Sequence, residues 1–273
     1  MTYSWSKMDG LQKYNMILFI VHLVLMIVFI IYFKSIIKSD SQPSRINLSL
    51  YEHIFRYDPT GKTFTPGSKE AFTFKESTVS NMIVSFFGIT AAFHLFYALN
   101  PSNMYLNAVK NGNNYFRWIE YSITATMMLV IIAILSGVKD VQNYFMLVSS
   151  AFAMIWTGQW YETSDRNGRF ASILVGFVLL VGAFQVIISS FRARLSEAKA
   201  AGFNLPTWLW MTVIVLFIFY ASFGFVPIAQ STFGGNYRTY EKTYLTLSLA
   251  SKASLGMLVA YGFGQRSKAE NAS

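Results

Sequence analysis

Apolar residues gather into seven runs along the chain, near 15–33, 79–99, 116–136, 143–161, 170–190, 207–227 and 243–263. At 1.5 Å per residue, each is long enough to cross about 30 Å of hydrocarbon as a helix. The third run carries Glu120, and only a short "GVKD" turn separates it from the fourth. Its body, "RWIEYSITATMMLVIIAILSG", stays apolar beyond the glutamate, whereas a single helix across both runs would exceed forty residues through a glycine and two charges. Seven spans are therefore expected rather than six. Most connections are short. The exception is 34–78, a polar and aromatic stretch in which "RINLSLY" and "AFTFKE" alternate in period two around the proline and glycine turns of "DPTGKTFTPGSKE". That pattern predicts an extramembrane β-hairpin on the membrane surface, with an irregular loop as the alternative.

Composition narrows the class. Hydrophobic residues make up 53% of the chain and charged residues 13%, well short of the roughly 25% charge of a soluble domain. The net charge of +9 is scattered between apolar runs and forms no single stripe, so it flanks membrane spans and gives no footprint for nucleic acid. No cysteine is present and the three histidines are far apart, so neither a disulfide nor a metal site is expected. The first apolar run has no cleavage motif behind it and reads as a retained helix. The side bearing the N-terminus receives eight Lys or Arg residues and the opposite side thirteen, seven of them in 34–78. Without that loop the balance reverses to eight against six, so charge alone leaves orientation open.

Lys252 stands near the middle of the last run, "LTLSLASKASLGMLVAYGF", where an ammonium group costs several kcal/mol. Three readings compete: a structural lysine, an ion-coupled site in a small transporter, and covalent use, in which the amine condenses with an aldehyde. A protonated iminium needs a carboxylate beside it, and Glu120 is the embedded acid at a compatible depth. His22 and His94 fall in the same half of the bilayer, either as packed, satisfied histidines or as members of a proton-accepting network. Arg117, one turn before Glu120, belongs to that network or marks the interface, and Glu162 reads as an interfacial charge. An aromatic slot for the aldehyde has candidates in Trp118 and Tyr121, in Trp156, Gln159 and Trp160, and in Phe217, Phe219 and Tyr220; ordinary core packing is the competing explanation. Neither the long loop nor the tails hold a catalytic constellation, so an enzyme is not expected.

With a lysine in "SLASKASLG" of the seventh span and "RWIEYSITAT" in the third, the whole chain resembles a heliorhodopsin, the inverted class of retinal proteins. The resemblance implies an all-α membrane protein, a seven-helix bundle of rhodopsin type forming one retinal-binding domain over 1–273. It also implies all-trans retinal bound covalently to Lys252, Glu120 as counterion, Ser248 and Thr124 as hydroxylic neighbours, and His22 and His94 in a polar cavity beside the counterion. Phe217 resembles a position that is tryptophan in microbial pumps. Further implied are a cytoplasmic N-terminus, an extracellular hairpin and C-terminus, a homodimer, and light sensing through a signalling partner yet to be identified. A light-gated proton channel or transporter is the alternative. Pumping is disfavoured, because Ser248 and Ile131 occupy the positions where microbial proton pumps resemble one another in carrying further carboxylates.

Overall fold

The computed structural model describes residues 5–37 and 47–271, except for the side chains of residue 47 and of 266–271. The stretch 38–46 of the expected loop lies outside the described residues. After a 3-10 turn at Trp5–Lys7 the elements are α1 (Gly10–Ile36), β1 (Asn47–Asp58), β2 (Thr63–Lys75), α2 (Glu76–Leu99), a second 3-10 turn at Pro101–Asn103, and α3 (Met104–Lys110). Five long helices follow: α4 (Tyr115–Ser136), α5 (Val141–Thr163), α6 (Arg166–Ala200), α7 (Thr207–Phe233) and α8 (Tyr237–Asn271). Each of the seven apolar runs lies within one of these long helices. Among the described residues, five helices, α1, α2, α4, α6 and α7, are long and apolar enough to cross a membrane. In α5 and α8 the apolar run is diluted by side chains such as Gln142, Asn143 and Gln159, or Ser248, Ser251 and Lys252.

Local chemistry fixes the helix ends. Asp9 opens α1 with a capping box, its carboxylate accepting from Leu11 N–H at 2.8 Å while Gln12 Oε1 accepts from Asp9 N–H at 2.9 Å. Gly137, at φ 79°, closes α4 in the left-handed region that a side chain disfavours, and Asp140 caps α5 three residues later. The third and fourth runs are therefore separate helices.

The helices close into a ring in which α1 packs on α2 and α8, α2 on α4, and α4 through α8 each on the next. The innermost helix is α4, with 67% of its apolar window buried against 22% for α1. The outer stripe of α1, including Ile20, Val24, Ile27 and Ile31, is exposed, an apolar surface that only lipid satisfies. The fold is an all-α, multi-pass membrane bundle with an extramembrane hairpin after its first helix.

That hairpin is antiparallel and reaches further than its sequence pattern suggested. The expected turn at "TPGSK" is instead part of β2, with Pro66 opposite Phe55 and Gly67 opposite Ile54, while Pro59–Lys62 make the turn. A two-stranded ribbon has two open edges, so a proline in it forfeits no ladder bond to a third strand. Tyr51 N–H donates to Lys139 O at 2.8 Å and His53 Nε2 meets Asp140 Oδ2 at 2.9 Å, tying the hairpin to the α4–α5 connection. Phe74 and Leu50 at its base are buried in the main apolar core.

Candidate functional site

Lys252 on α8 is 2% exposed and Glu120 on α4 is wholly buried. Side chains on a helix lean toward its N-terminus, and the lysine stem does so. Its Nζ donates to Ser248 Oγ, one turn earlier, at 2.6 Å and lies 3.5 Å from Glu120 Oε1. Thr90 on α2 donates to the same carboxylate oxygen at 2.9 Å, leaving Oε2 without a partner. Thr124 is buried nearby, but its hydroxyl donates to the Glu120 backbone carbonyl at 3.1 Å and bonds neither Lys252 nor the carboxylate. An acid, an amine and two hydroxyls converge from three helices, an arrangement that holds a positive charge at Nζ far from bulk water.

A cavity of about 890 Å³, including its open side, begins at Lys252 and Ser248 and extends between α4, α5, α6 and α7. Trp118, Tyr121, Phe177, Phe219, Tyr220 and Phe223 supply its aromatic walls. Tyr121 also lies under Lys252, with Nζ 5.3 Å from its ring centre, while its hydroxyl donates to Tyr244 O at 2.9 Å. Gly158 allows Trp118 into the wall, since a Cβ there would stand 2.3 Å from the indole. The lining is predominantly apolar apart from the Lys252 end. Its donor set suits an elongated apolar molecule bearing one aldehyde, which the amine can capture.

Four expected slot residues lie off this lining. On α5 the cavity takes Met154, Ile155, Thr157, Gly158 and Tyr161, whereas Trp156, Gln159 and Trp160 fall between these positions on the remaining face, each residue turning the helix by about 100°. Trp160 is 42% exposed on the outer face, and Trp156 packs toward the exposed Phe152. Phe217, 39% exposed, meets Phe184 edge-on at 5.0 Å on the outer side of α7. Sequence depth located these residues along the bilayer, but gave no phase around the helix.

His22 and His94 are fully buried, with ring centres 4.9 Å apart. His22 Nδ1 pairs with Leu18 O at 2.8 Å and His94 Nδ1 with Asn15 Oδ1 at 2.7 Å. Both Nε2 atoms, Glu120 Oε2 and the Tyr97 hydroxyl are buried without protein partners. Buried polar atoms without protein partners are the ones that ordered water ordinarily satisfies.

Arg117 has no exposed surface and does not mark the interface. Its guanidinium pairs with Glu162 and Glu241 and lies between the Trp118 and Tyr244 rings, at 4.5 and 4.1 Å from their centres. Glu162, read from sequence as interfacial, has a side chain only 3% exposed and also accepts from Trp118 Nε1 at 2.8 Å and Tyr237 OH at 2.7 Å. Glu241 accepts from Asn114 Nδ2 at 2.8 Å and Tyr105 OH at 3.2 Å. The sequence reading missed Glu241, Asn15, Thr90 and Tyr105. Glu241 lies between Arg238 and Lys242 and before the seventh apolar run, so it resembled loop charge; α8 begins at Tyr237 and carries it inside. The signal available was the i, i+3, i+7, i+11 row Glu241, Tyr244, Ser248, Lys252, a polar stripe on one helix face.

The fold resembles that of a solved structure, the light-driven proton pump LR (Mac) from Leptosphaeria maculans. The match has a TM-score of 0.66 and 11% identity, covering 97% of this chain and 98% of that one. No curated protein matches the chain. The model of the heliorhodopsin family matches residues 11–263, which include the Lys252–Glu120 pair, the aromatic cavity and the buried histidines. The chain belongs to the heliorhodopsin family of retinal-based photoreceptors.

Proposed function

We propose that Lys252 Nζ is the attachment point for all-trans retinal, that Glu120 is the counterion of the resulting cationic nitrogen, and that the histidine compartment receives the proton released there. When bound, retinal supplies visible absorption and a light-driven change of shape beside Nζ. The observation that carries the proposal is the placement of a buried amine, 3.5 Å from a buried carboxylate, at the polar end of an aromatic cavity. Ser248 and Thr90 orient the two partners, Tyr121 and Tyr220 line the chamber, and Thr124 secures the Glu120 backbone. The proton leaves Nζ for the side where His22 Nε2 and His94 Nε2 stand unpartnered. In the same reading all seven long helices cross the bilayer, with the N-terminus cytoplasmic and the hairpin extracellular. The active form is a homodimer whose helix movement is read by a signalling partner.

The distribution of polar groups favours a sensor over a light-gated proton conductor. From Lys252 toward the N-terminal face run the histidines, Asn15, Tyr105 and the Arg117 cluster. Toward the hairpin face the interior is filled by Ile83, Phe87, Leu129, Ile132 and Leu255, all fully buried. A route lined on one side alone does not join two aqueous phases. Photocurrent under voltage clamp checks this: a sensor gives no steady current, and a current reversing with the driving force establishes conduction. Lys252→Ala is expected to abolish the visible band after retinal addition, and a retained red-shifted band would refute the attachment site.

A further inference from the structure

The proton-accepting reading identifies a compartment, and the hydrogen bonds behind it specify an atom. Asn15 Nδ2 donates to Leu11 O at 2.9 Å and to the Tyr105 hydroxyl at 3.1 Å. A backbone carbonyl only accepts, so the amide nitrogen is fixed on that side and Oδ1 is turned toward α2. There it lies 2.7 Å from His94 Nδ1. An amide oxygen has no hydrogen to give, hence Nδ1 carries the ring proton and, in the neutral ring, Nε2 is a bare lone pair. Leu18 O imposes the same tautomer on His22 at 2.8 Å. Beyond Asn15, the Tyr105 hydroxyl donates to Glu241 Oε1 at 3.2 Å. The His94 N–H, Asn15 N–H and Tyr105 O–H thus point the same way, along a chain whose members are all fully buried and which ends on a carboxylate. Aligned donors polarise one another, and a carboxylate behind a histidine sets its tautomer and supports positive charge on the ring.

We propose that Asn15 and Tyr105 are positioning residues that hold His94 as the Nδ1–H tautomer, making Nε2 the atom that takes up the proton, with Glu241 offsetting the charge through the chain. The inference rests on the proton-accepting reading above. One N–H bond breaks at Lys252 Nζ and one forms at His94 Nε2; Nδ1 keeps its hydrogen, so the ring becomes an imidazolium and nothing passes through the amide of Asn15. The groups acting on the ring are His22 at 4.9 Å and Tyr97 at 6.1 Å between ring centres, and the charge of Lys252. Glu241 is itself held by Arg117 and Asn114, so the chain ends on a fixed acceptor.

The test is ¹⁵N NMR of histidine-labelled, retinal-free protein in nanodiscs, which reports the tautomer without depending on pigment formation. With three histidines in the chain, His22→Asn and His53→Asn identify the His94 signals by difference. At neutral pH the wild-type ring is expected to show a protonated Nδ1 and a bare Nε2. Asn15→Leu should lower the ratio of Nδ1–H to Nε2–H by about fivefold, the effect of one lost hydrogen bond, and Asn15→Asp should restore it. Tyr105→Phe, which leaves Asn15 in place, should shift both His94 nitrogen resonances. A wild-type His94 in the Nε2–H form overturns the proposal whether or not any variant folds. So does an Asn15→Leu or a Tyr105→Phe protein with wild-type His94 signals. Loss of pigment from an otherwise normal tautomer would instead count against the retinal reading.

Discussion

Glu120→Gln isolates the electrostatic core of the site. Glutamine keeps the shape of the side chain and an acceptor for Thr90, and removes one negative charge 3.5 Å from Lys252 Nζ. At an effective dielectric constant of about 20, unit charges at that distance interact by roughly 5 kcal/mol, equivalent to about three and a half pH units. Water among the unpartnered atoms of the histidine compartment would increase screening and reduce this, so a displacement of about two to three units is expected. The sign follows from which form loses its partner. The cationic nitrogen is deprived of its countercharge, so its proton leaves at lower pH. The absorption maximum should also move to longer wavelength, because positive charge is no longer held at the nitrogen end. The assay is a spectrophotometric pH titration of reconstituted pigment, following conversion of the visible band to a near-ultraviolet one in wild type, Glu120→Gln and Glu120→Asp. Glu120→Asp should fall between the other two, since the charge remains but stands further off. A Glu120→Gln midpoint within half a unit of wild type would refute the reasoning, because another anion would then have to balance Nζ.

Arg117→Gln leaves Glu162 and Glu241 buried without their shared cation, a loss expected to cost about 3–5 kcal/mol. Thermal unfolding in detergent should show a midpoint lower by about 10 °C, and an unchanged midpoint would mean the cluster is not an ion pair in solution. Gly158→Val pushes a side chain into the Trp118 indole and should destabilise the protein by about 1–3 kcal/mol while displacing the pigment band; adding Trp118→Leu should recover much of the loss, and strict additivity would argue against contact. Asp9 tests the opposite end of the electrostatic scale. Burial raises its affinity for a proton, but hydrogen bonds from Arg238 and Leu11 N–H outweigh this and hold the carboxyl below its usual range. A lowered carboxyl contributes stability that is complete above the unfolded value of about 4 and is lost as pH falls through the folded one. Asp9→Asn preserves the helix cap, so its stability deficit relative to wild type should be constant near neutral pH and vanish in acid; a deficit that persists at pH 2 would assign the effect to the cap.

The sequence made the fold legible where one physical requirement dominates. A backbone in hydrocarbon must satisfy its own hydrogen bonds, so apolar runs of sufficient length become helices almost regardless of composition, and all seven runs lie within helices. The Lys252–Glu120 pair was legible for a related reason, because charge at such depth has few possible partners. Rotation about each helix was not legible. Lipid and core are both apolar, so a membrane helix lacks the polar outer face that would reveal its orientation, and the aromatics of α5 were assigned out of phase. Glu162 was misread, and Glu241 passed over, for a different reason. Glu162 and Glu241 stand near helix ends, where a charge ordinarily meets water, and neighbouring residues do not show that Tyr237 at the start of α8 reaches Glu162 or that Tyr105 of α3 reaches Glu241.

That cover has a consequence for how the site works. Between the buried histidines and the N-terminal face stands an ion cluster, in which Arg117 is covered by Trp118 and Tyr244 and held by two carboxylates. In the mechanism proposed above, a proton entering from Nζ would stay inside unless that cluster opened, its charge balanced locally by Glu120 and, through Tyr105 and Asn15, by Glu241. Opening would strand two buried acids and their cation, at a cost comparable to that of breaking the buried pair. Retention lengthens the life of the charge-separated state, which serves a receptor whose output is a conformational change, and it opposes turnover, which serves a pump. Weakening the seal should shorten retention. Tyr244→Leu, which removes one stacked ring while leaving both carboxylates in place, is expected to speed the proton's escape to the medium by about tenfold or less, as one lost cation–π contact allows. Flash photolysis with a pH-sensitive dye would read both the pigment decay and any proton reaching the medium. An unchanged decay with no proton released would show that retention is set at the histidines themselves.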